Sequence, residues 1–193
     1  MKWFFYTLFH DLGTFLFKCL LPSCLIGLTV AAVYCFVINK RKKTVNRKVL
    51  FKALSLFLIV TVVTLILWLT IGLRFGESYD SLSNIWGNWL IKKMEYSFDF
   101  SAVENIIMFL PLPFAVNIFT RLFINKSISK KQSVLRNTIY ALCLSAFIEC
   151  TQIIFSLGLF QVSDLVYNTL GGFLGSILYI TVENYINKKT HRR

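Results

Sequence analysis

Charged residues are scarce in this sequence, and acidic residues are the scarcest. Only 16% of the 193 residues are charged, with 9 Asp and Glu against 21 Lys and Arg, whereas a soluble domain has roughly a quarter of its residues charged. The apolar residues come in long runs rather than at a helical or alternating period. This pattern excludes an ordinary water-soluble domain and predicts that most of the chain is solvated by lipid.

Histidine is rare, and the cysteines do not follow a metal-binding pattern. The two histidines, His10 and His191, lie near the ends of the sequence, and the five cysteines fall in apolar runs without metal-ligand spacing. We interpret the cysteines as buried free thiols. With no His or Cys beside the acids, a zinc site is not expected. No nucleotide-binding motif is present either, so we expect neither a metal nor a cofactor.

Five apolar runs are long enough to cross a bilayer as helices. They cover residues 15–37, 50–73, 102–123, 134–157 and 162–182. Pro111 and Pro113 fall inside the third run and predict a break or kink there. The predicted fold is therefore an all-α, polytopic transmembrane helical bundle with about five membrane spans.

Basic residues concentrate at one predicted side of the membrane. Residues 39–52, 121–136 and 188–193 hold most of the 21 Lys and Arg and contain no acid. Positively charged loops stay at the cytoplasmic face, so we expect the N-terminus outside and the C-terminus in the cytoplasm. Nucleic-acid binding is not favoured, because the basic residues lie in short loops between apolar spans.

The loop of residues 74–100 has nearly balanced charges and should lie outside. Its tryptophan-rich part, residues 84–91, could form a short helix in the membrane interface. That helix would be an aromatic anchor or a lid over polar residues below it. We favour the anchor, because tryptophan is common at membrane interfaces.

Residues 145–175 carry polar side chains at helical spacing within apolar sequence. Ser145, Glu149 and Gln152 share one helical face. After a short break, a second face carries Asp164, Asn168, Gly171 and Gly175. Two helices with so short a link are antiparallel neighbours, so the two polar faces can meet. Ionisable residues at membrane depth usually face a bundle interior or a wet cavity, which makes this hairpin a candidate functional site.

The hairpin resembles the signature of the VanZ-like family of bacterial membrane proteins, whose namesake is linked to teicoplanin resistance. The family pattern is Ser-x-x-x-Glu-x-x-Gln followed by Asp-x-x-x-Asn-Thr-x-Gly-Gly/Ala-x-x-Gly. It is matched here by Ser145, Glu149, Gln152, Asp164, Asn168, Thr169, Gly171, Gly172 and Gly175. An upstream element is matched by Asn105, Phe109 and Pro111, with Pro113 where glycine is usual. Many members carry charges near the positions of Leu159 and Gln161, and this chain does not.

The resemblance covers about residues 55–182. It implies a multi-pass protein of the bacterial cytoplasmic membrane with a role in the cell envelope or in reduced glycopeptide susceptibility. The sequence then divides into three parts. Residues 1–54 hold an N-terminal interfacial segment, the first span and a basic loop; residues 55–182 form the VanZ-like membrane domain; residues 183–193 form a basic cytoplasmic tail.

Three acids are expected to meet in the outer half of the bilayer. Glu104 opens the third span from outside, and Asp164 opens the fifth. Glu149 lies about 22 Å beyond the cytoplasmic end of the fourth span at 1.5 Å per residue. The neutral polar residues expected around them are Asn105, Ser145, Gln152 and Asn168.

Two interpretations of this cluster stay open. In a structural lock, Glu149 and Gln152 would bond across to Asp164 and Asn168, and the helices would pack closely at Gly171, Gly172 and Gly175. In a functional site, the carboxyls would bind a cation or act as general acid and base on a lipid-linked envelope precursor. Three carboxyls are more than a structural lock requires, and this favours the interpretation as a functional site.

Catalysis is not favoured, because the sequence shows no nucleophile–base pair. A membrane scaffold without catalytic activity is a third possibility. The expected partners are membrane lipids and, beyond them, a lipid-linked cell-wall precursor or a glycopeptide. No nucleic acid is expected, and no protein partner can be named.

The predicted topology can be tested by cysteine labelling. In a variant whose five native cysteines are replaced, a cysteine at Ser83 should react with a membrane-impermeant thiol reagent on intact cells, and a cysteine at Ser129 should not. Permeabilised cells, in which both positions should react, are the control. The reverse pattern on intact cells would contradict the assignment of inside and outside.

Overall fold

The computed structural model describes residues 15–42, 46–76, 85–86, 100–124 and 128–190. Within those ranges the regular structure is helical throughout. Five helical stretches are long and apolar enough to cross a membrane, at Phe17–Arg41, Arg47–Arg74, Ser101–Phe123, Lys130–Phe155 and Val162–Thr190. The predicted all-α bundle with five spans is thereby confirmed, while its orientation in the membrane stays a prediction.

Several predictions made from the sequence concern residues outside the described ranges. They include the interfacial N-terminal segment, Ser83 and the tryptophan-rich stretch apart from Ile85 and Trp86. The aromatic anchor therefore stays a prediction.

The first two spans form an antiparallel hairpin. A π-helical turn, Phe15–Leu20, leads into α1, Leu21–Lys42, and α2 follows at Arg47–Thr70. Asn46 caps α2, because its side-chain oxygen accepts a hydrogen bond from the Val49 N–H at 3.1 Å. Gly27 lets the two helices approach closely, since a Cβ atom there would lie 2.9 Å from the Phe57 carbonyl oxygen.

The third span is broken at its prolines, as predicted. Helix α3, Phe100–Phe109, ends just before Pro111, and α4, Leu112–Phe123, begins just after it. In an unbroken helix the Ile107 carbonyl would accept from residue 111, but proline has no N–H. That carbonyl accepts from the Leu110 N–H instead, at 3.3 Å, so the helix is interrupted at this point.

The last two spans are the longest helices. Helix α5, Lys130–Phe155, begins four residues earlier than the apolar pattern predicts because Ser129 and Gln132 form a capping box. It ends at Ser156, whose left-handed backbone (φ 52°) stops the helix. Helix α6, Val162–Thr190, continues beyond the predicted end of the span. Since Ser129 is a cap, exposed Lys131 is the less disruptive position for a cysteine label.

Three glycines let α6 pack closely against two other helices. A Cβ atom added at Gly171 or Gly175 would collide with the carbonyl oxygens of Ile106 or Leu110, at the end of α3, and one at Gly172 would collide with the Ala141 side chain of α5. Helix α6 therefore packs against both neighbours at backbone distance, as small residues allow in membrane bundles.

The basic segments lie at one end of the bundle. The Lys52 ammonium lies 5.0 Å from the centre of the Phe123 ring, which Tyr34 also contacts edge-on at 5.7 Å. At the same end of the bundle, Arg121 of α4 forms an ion pair with Glu183 of α6 at 2.8 Å. We call this end, where α1, α4 and α6 finish and α2 and α5 start, the basic end. The α5–α6 turn lies at the opposite end.

Gly175→Leu tests the packing of α6. Because the added side chain would displace the Leu110 carbonyl, the free energy of unfolding should fall by about 1–3 kcal/mol. The measurement is the midpoint of thermal denaturation in detergent, together with the amount of protein in the membrane. Ala32→Leu, on an exposed face of α1, is the matched control and should change neither. An unchanged midpoint for Gly175→Leu would mean that this face of α6 contacts lipid.

Candidate functional site

The polar faces of α5 and α6 meet inside the bundle. Asn168, on α6, donates a hydrogen bond from its Nδ2 to the Ser145 Oγ of α5 at 2.9 Å, and both residues are buried. This bond crosses the hairpin about two turns after the start of α6 and about three turns before the end of α5. It keeps the next polar residues of the two helices on facing sides.

Glu149 lies one turn nearer the link and is only 2% exposed. Its Oε2 accepts a hydrogen bond from the backbone N–H of Gln161 at 3.0 Å. Gln161 immediately precedes α6, so the carboxylate fixes the link against the end of α5. Its charge also interacts with the charges of Asp164 and Arg74. A buried carboxylate needs such partners, because it has lost most of its hydration.

Arg74 is the site residue that the sequence analysis missed. It follows α2 in a short 3₁₀ turn, Gly72–Arg74, and is half-buried. Its guanidinium lies so close to Gly158 that a Cβ atom at that position would collide with it. The available signal was its position: Arg74 is the first charged residue after the apolar run that follows Lys52.

Gln152 joins the hairpin to the second span. Its Nε2 donates to the backbone carbonyl of Thr70 at 3.0 Å, in the last turn of α2, where carbonyls lack helical partners. In the lock interpretation, Gln152 would bond across the hairpin. In the structure Asn168 bonds to Ser145, and Gln152 bonds to α2 instead.

Asp164 and Asn168 take up their predicted places on one face of α6. Asp164 is half-buried in the first turn of the helix, where the helix dipole favours a negative charge. The neighbouring Val162 N–H donates to the Ile85 carbonyl at 2.9 Å. The loop between the second and third spans thus contacts the start of α6, close to Asp164, while the Trp86 side chain is 72% exposed.

Glu104 does not join the other two acids. It lies on an exposed face of α3, and among the described residues the charges that act on Glu149 are those of Asp164 and Arg74. Of the three carboxyls that were predicted to meet, only those of Glu149 and Asp164 therefore lie in the same site. Asn105, beside it, is half-buried.

Within the described residues, several buried oxygens here have no hydrogen-bond donor. They are Gln152 Oε1, Ser163 Oγ and Asn168 Oδ1. An unsatisfied buried acceptor costs about 1–3 kcal/mol, so a lock built only for stability should not leave these atoms free. We call Arg74, Ser145, Glu149, Gln152, Asp164 and Asn168 the Glu149 cluster. It is rich in acceptors and suits a ligand that brings N–H, O–H or positive charge.

Comparison with known proteins gives two matches. A sequence model of the VanZ/LLP1 family matches residues 24–183. A curated protein from Enterococcus faecium named "Protein VanZ" is 31% identical over 87 residues, which is 45% of this chain and 48% of that protein. The chain thus spans about half the length of this relative. No solved structure matches.

The role of Arg74 can be tested with a charge-removal pair. Arg74→Gln removes a positive charge that acts on Glu149 and should lower the free energy of unfolding by about 0.5–1 kcal/mol, the range for charge pairs that are partly exposed. Adding Glu149→Gln should restore part of that loss, because the unpaired charge is then gone. Denaturant titration in mixed micelles measures both.

Arg47→Gln, at the exposed start of α2, is the matched control and should stay within about 0.5 kcal/mol of the unsubstituted protein. If the losses for Arg74→Gln and Glu149→Gln simply add, the two charges do not interact.

Proposed function

The chain belongs to the VanZ/LLP1 family, and from this membership and the Glu149 cluster we propose that it reduces the glycopeptide susceptibility of a bacterium from within the cytoplasmic membrane. The antibiotic class is that of teicoplanin. In this proposal the Glu149 cluster binds a ligand at the outer face of the membrane. The basic end faces the cytoplasm, in line with the positive-inside rule.

One observation carries the proposal: the cluster combines a buried carboxyl group with unused acceptors. Glu149 is 2% exposed and Gln152 3% exposed, yet Gln152 Oε1 has no donor within the described structure. Amide side chains alone would join membrane helices, at about 0.6–2 kcal/mol per bond. Carboxylates add a desolvation cost that a purely structural contact does not require. A ligand that supplies donors would satisfy these atoms.

The chemistry of the cluster favours a ligand with amine or amide N–H groups. Both lipid-linked cell-wall precursors and glycopeptides carry such groups on peptide-like portions. Asp164 lies in the first turn of α6 and is half-buried, so a ligand from the outer face would reach it first. Glu149 and Gln152 lie deeper, beside the end of α2.

A second candidate function is a membrane enzyme acting on a lipid-linked envelope precursor. The observation that favours it is the position of Asp164, which lies three residues after Gln161, whose backbone N–H is bonded to Glu149; neighbouring carboxyls can share a proton and serve as acid and base. Turnover of a labelled lipid-linked precursor by the purified protein would distinguish the enzyme from a binding protein.

Isosteric substitutions separate a charge-dependent site from a lock. Glu149→Gln and Asp164→Asn keep the shape of each side chain while removing the negative charge. Cells producing either variant, Asp164→Asn above all, should lose their tolerance of teicoplanin to the level of cells without the protein. The readout is growth across a teicoplanin series in strains with matched amounts of membrane-inserted protein.

Glu104→Gln is the control, since it removes an exposed acid outside the cluster and should leave tolerance unchanged. Full tolerance with both Glu149→Gln and Asp164→Asn would contradict a requirement for these charges. Loss of tolerance only together with loss of protein would favour the lock.

A further inference from the structure

A separate polar cavity lies at the basic end of the bundle. It has a volume of about 330 Å³ and lies between α4, α5 and α6. Its polar wall includes Asn117, Arg121, Lys130, Arg136, Tyr179 and Glu183. None of these residues belongs to the Glu149 cluster, and the proposed function does not use them.

Positive charge dominates this cavity. Three of its side chains are cationic and one is a carboxylate. Glu183 is paired with the exposed Arg121 at 2.8 Å. Lys130 donates to the neutral side chain of Asn184 at 2.6 Å. The cavity therefore keeps positive charge that Glu183 does not neutralise.

Arg136 is held toward the cavity by neutral partners. Its Nη2 donates to Asn117 Oδ1 at 2.6 Å and to Asn137 Oδ1 at 3.3 Å. Amide oxygens position a guanidinium without cancelling its charge. Since a guanidinium has five N–H donors in a planar fork, the remaining ones suit the oxygens of a phosphate or carboxylate.

Asn117 adds a buried donor whose orientation is fixed. Its Oδ1 accepts from both Arg136 Nη2 and Ser133 Oγ, the latter at 2.7 Å, so its NH₂ group must occupy the other side of the amide. Asn117 is 6% exposed and lines the cavity, and its Nδ2 has no partner in the described part of the chain. A buried donor without a protein partner, beside cations that are not neutralised, suits an anionic ligand.

We propose that this cavity binds a phosphate group, supplied by the headgroup of an anionic membrane lipid. The cavity lies at the end of the third, fourth and fifth spans, where lipid phosphates are located. Ile128 and Ile180 form an apolar part of its wall, which suits the glycerol and the first acyl carbons. Arg136 and Lys130 contact the phosphate oxygens, and the Asn117 NH₂ donates to one of them.

The test measures lipid-induced stabilisation of the full-length protein in neutral detergent. The probes are a short-chain phosphatidylglycerol, a zwitterionic phosphatidylcholine of equal chain length, and inorganic phosphate. Phosphatidylglycerol should raise the denaturation midpoint in a saturable way, and phosphatidylcholine should not.

Asn117→Asp is the most informative variant. It keeps the oxygen that accepts from Arg136 and Ser133 but replaces the unpaired donor with an acidic oxygen, which should weaken phosphatidylglycerol binding by about tenfold or more. Lys130→Gln, at an exposed position, should weaken it by a smaller factor without disturbing the fold. Arg47→Gln removes an equal charge from the same end outside the cavity and should bind like the unsubstituted protein.

Each outcome decides the proposal. Saturable stabilisation by phosphatidylglycerol that Asn117→Asp abolishes supports a lipid phosphate site. Equal stabilisation by inorganic phosphate, lost in the same variants, supports the phosphate site but assigns it to a soluble ligand. Stabilisation that survives in both Asn117→Asp and Lys130→Gln, or that Arg47→Gln reduces as much, overturns it in favour of non-specific attraction to the basic surface.

Discussion

The structure of the polar site depends on the burial of one carboxylate. Glu149 is almost completely removed from solvent, and charge in such surroundings is stable only with donors and opposite charge nearby. The Gln161 N–H supplies the donor, and Arg74 supplies opposite charge. The bond from Gln161 fixes the α5–α6 link at Glu149, and Gln152, one turn further along α5, bonds to the Thr70 carbonyl at the end of α2. The local fold at this end of the bundle thus supplies the hydrogen-bond donor and the positive charge that a buried carboxylate requires.

The glycines of α6 meet a different requirement. This helix must pack closely against its neighbours although no hydrophobic effect drives helices together in lipid. Lipid is as apolar as the side chains, so membrane helices associate through backbone proximity and polar contacts. Gly171 and Gly175 bring α6 against the end of α3, and Gly172 brings it against α5. The break at Pro111 directs the Leu110 carbonyl toward Gly175. The proline of the third span and the glycine of the fifth span therefore both contribute to this close helix contact.

The spans, the proline break and the polar face of α6 could be predicted from sequence, because each depends on a local pattern. Hydropathy gives the spans, and helical spacing places Asp164 and Asn168 together. The partners of Gln152 and Glu149 could not be predicted, because both are backbone groups, those of Thr70 and Gln161, and every residue carries such groups. The contribution of Arg74 and the exposure of Glu104 depend on how helices that are distant in sequence pack together. Residue spacing within one helix does not predict that packing.

The central claim is that the Glu149 cluster receives a ligand at the end of the bundle opposite the basic end. Hydrogen–deuterium exchange of the protein in lipid nanodiscs, with and without teicoplanin or a lipid-linked cell-wall precursor, tests it directly. The backbone amide of Gln161 is bonded to Glu149 and reports on the cluster. We expect one of these ligands to slow exchange in the segment around Gln161 and Asp164, while the segment around Arg136 is unchanged. Unchanged exchange around Gln161 at saturating concentrations of both ligands would contradict the claim.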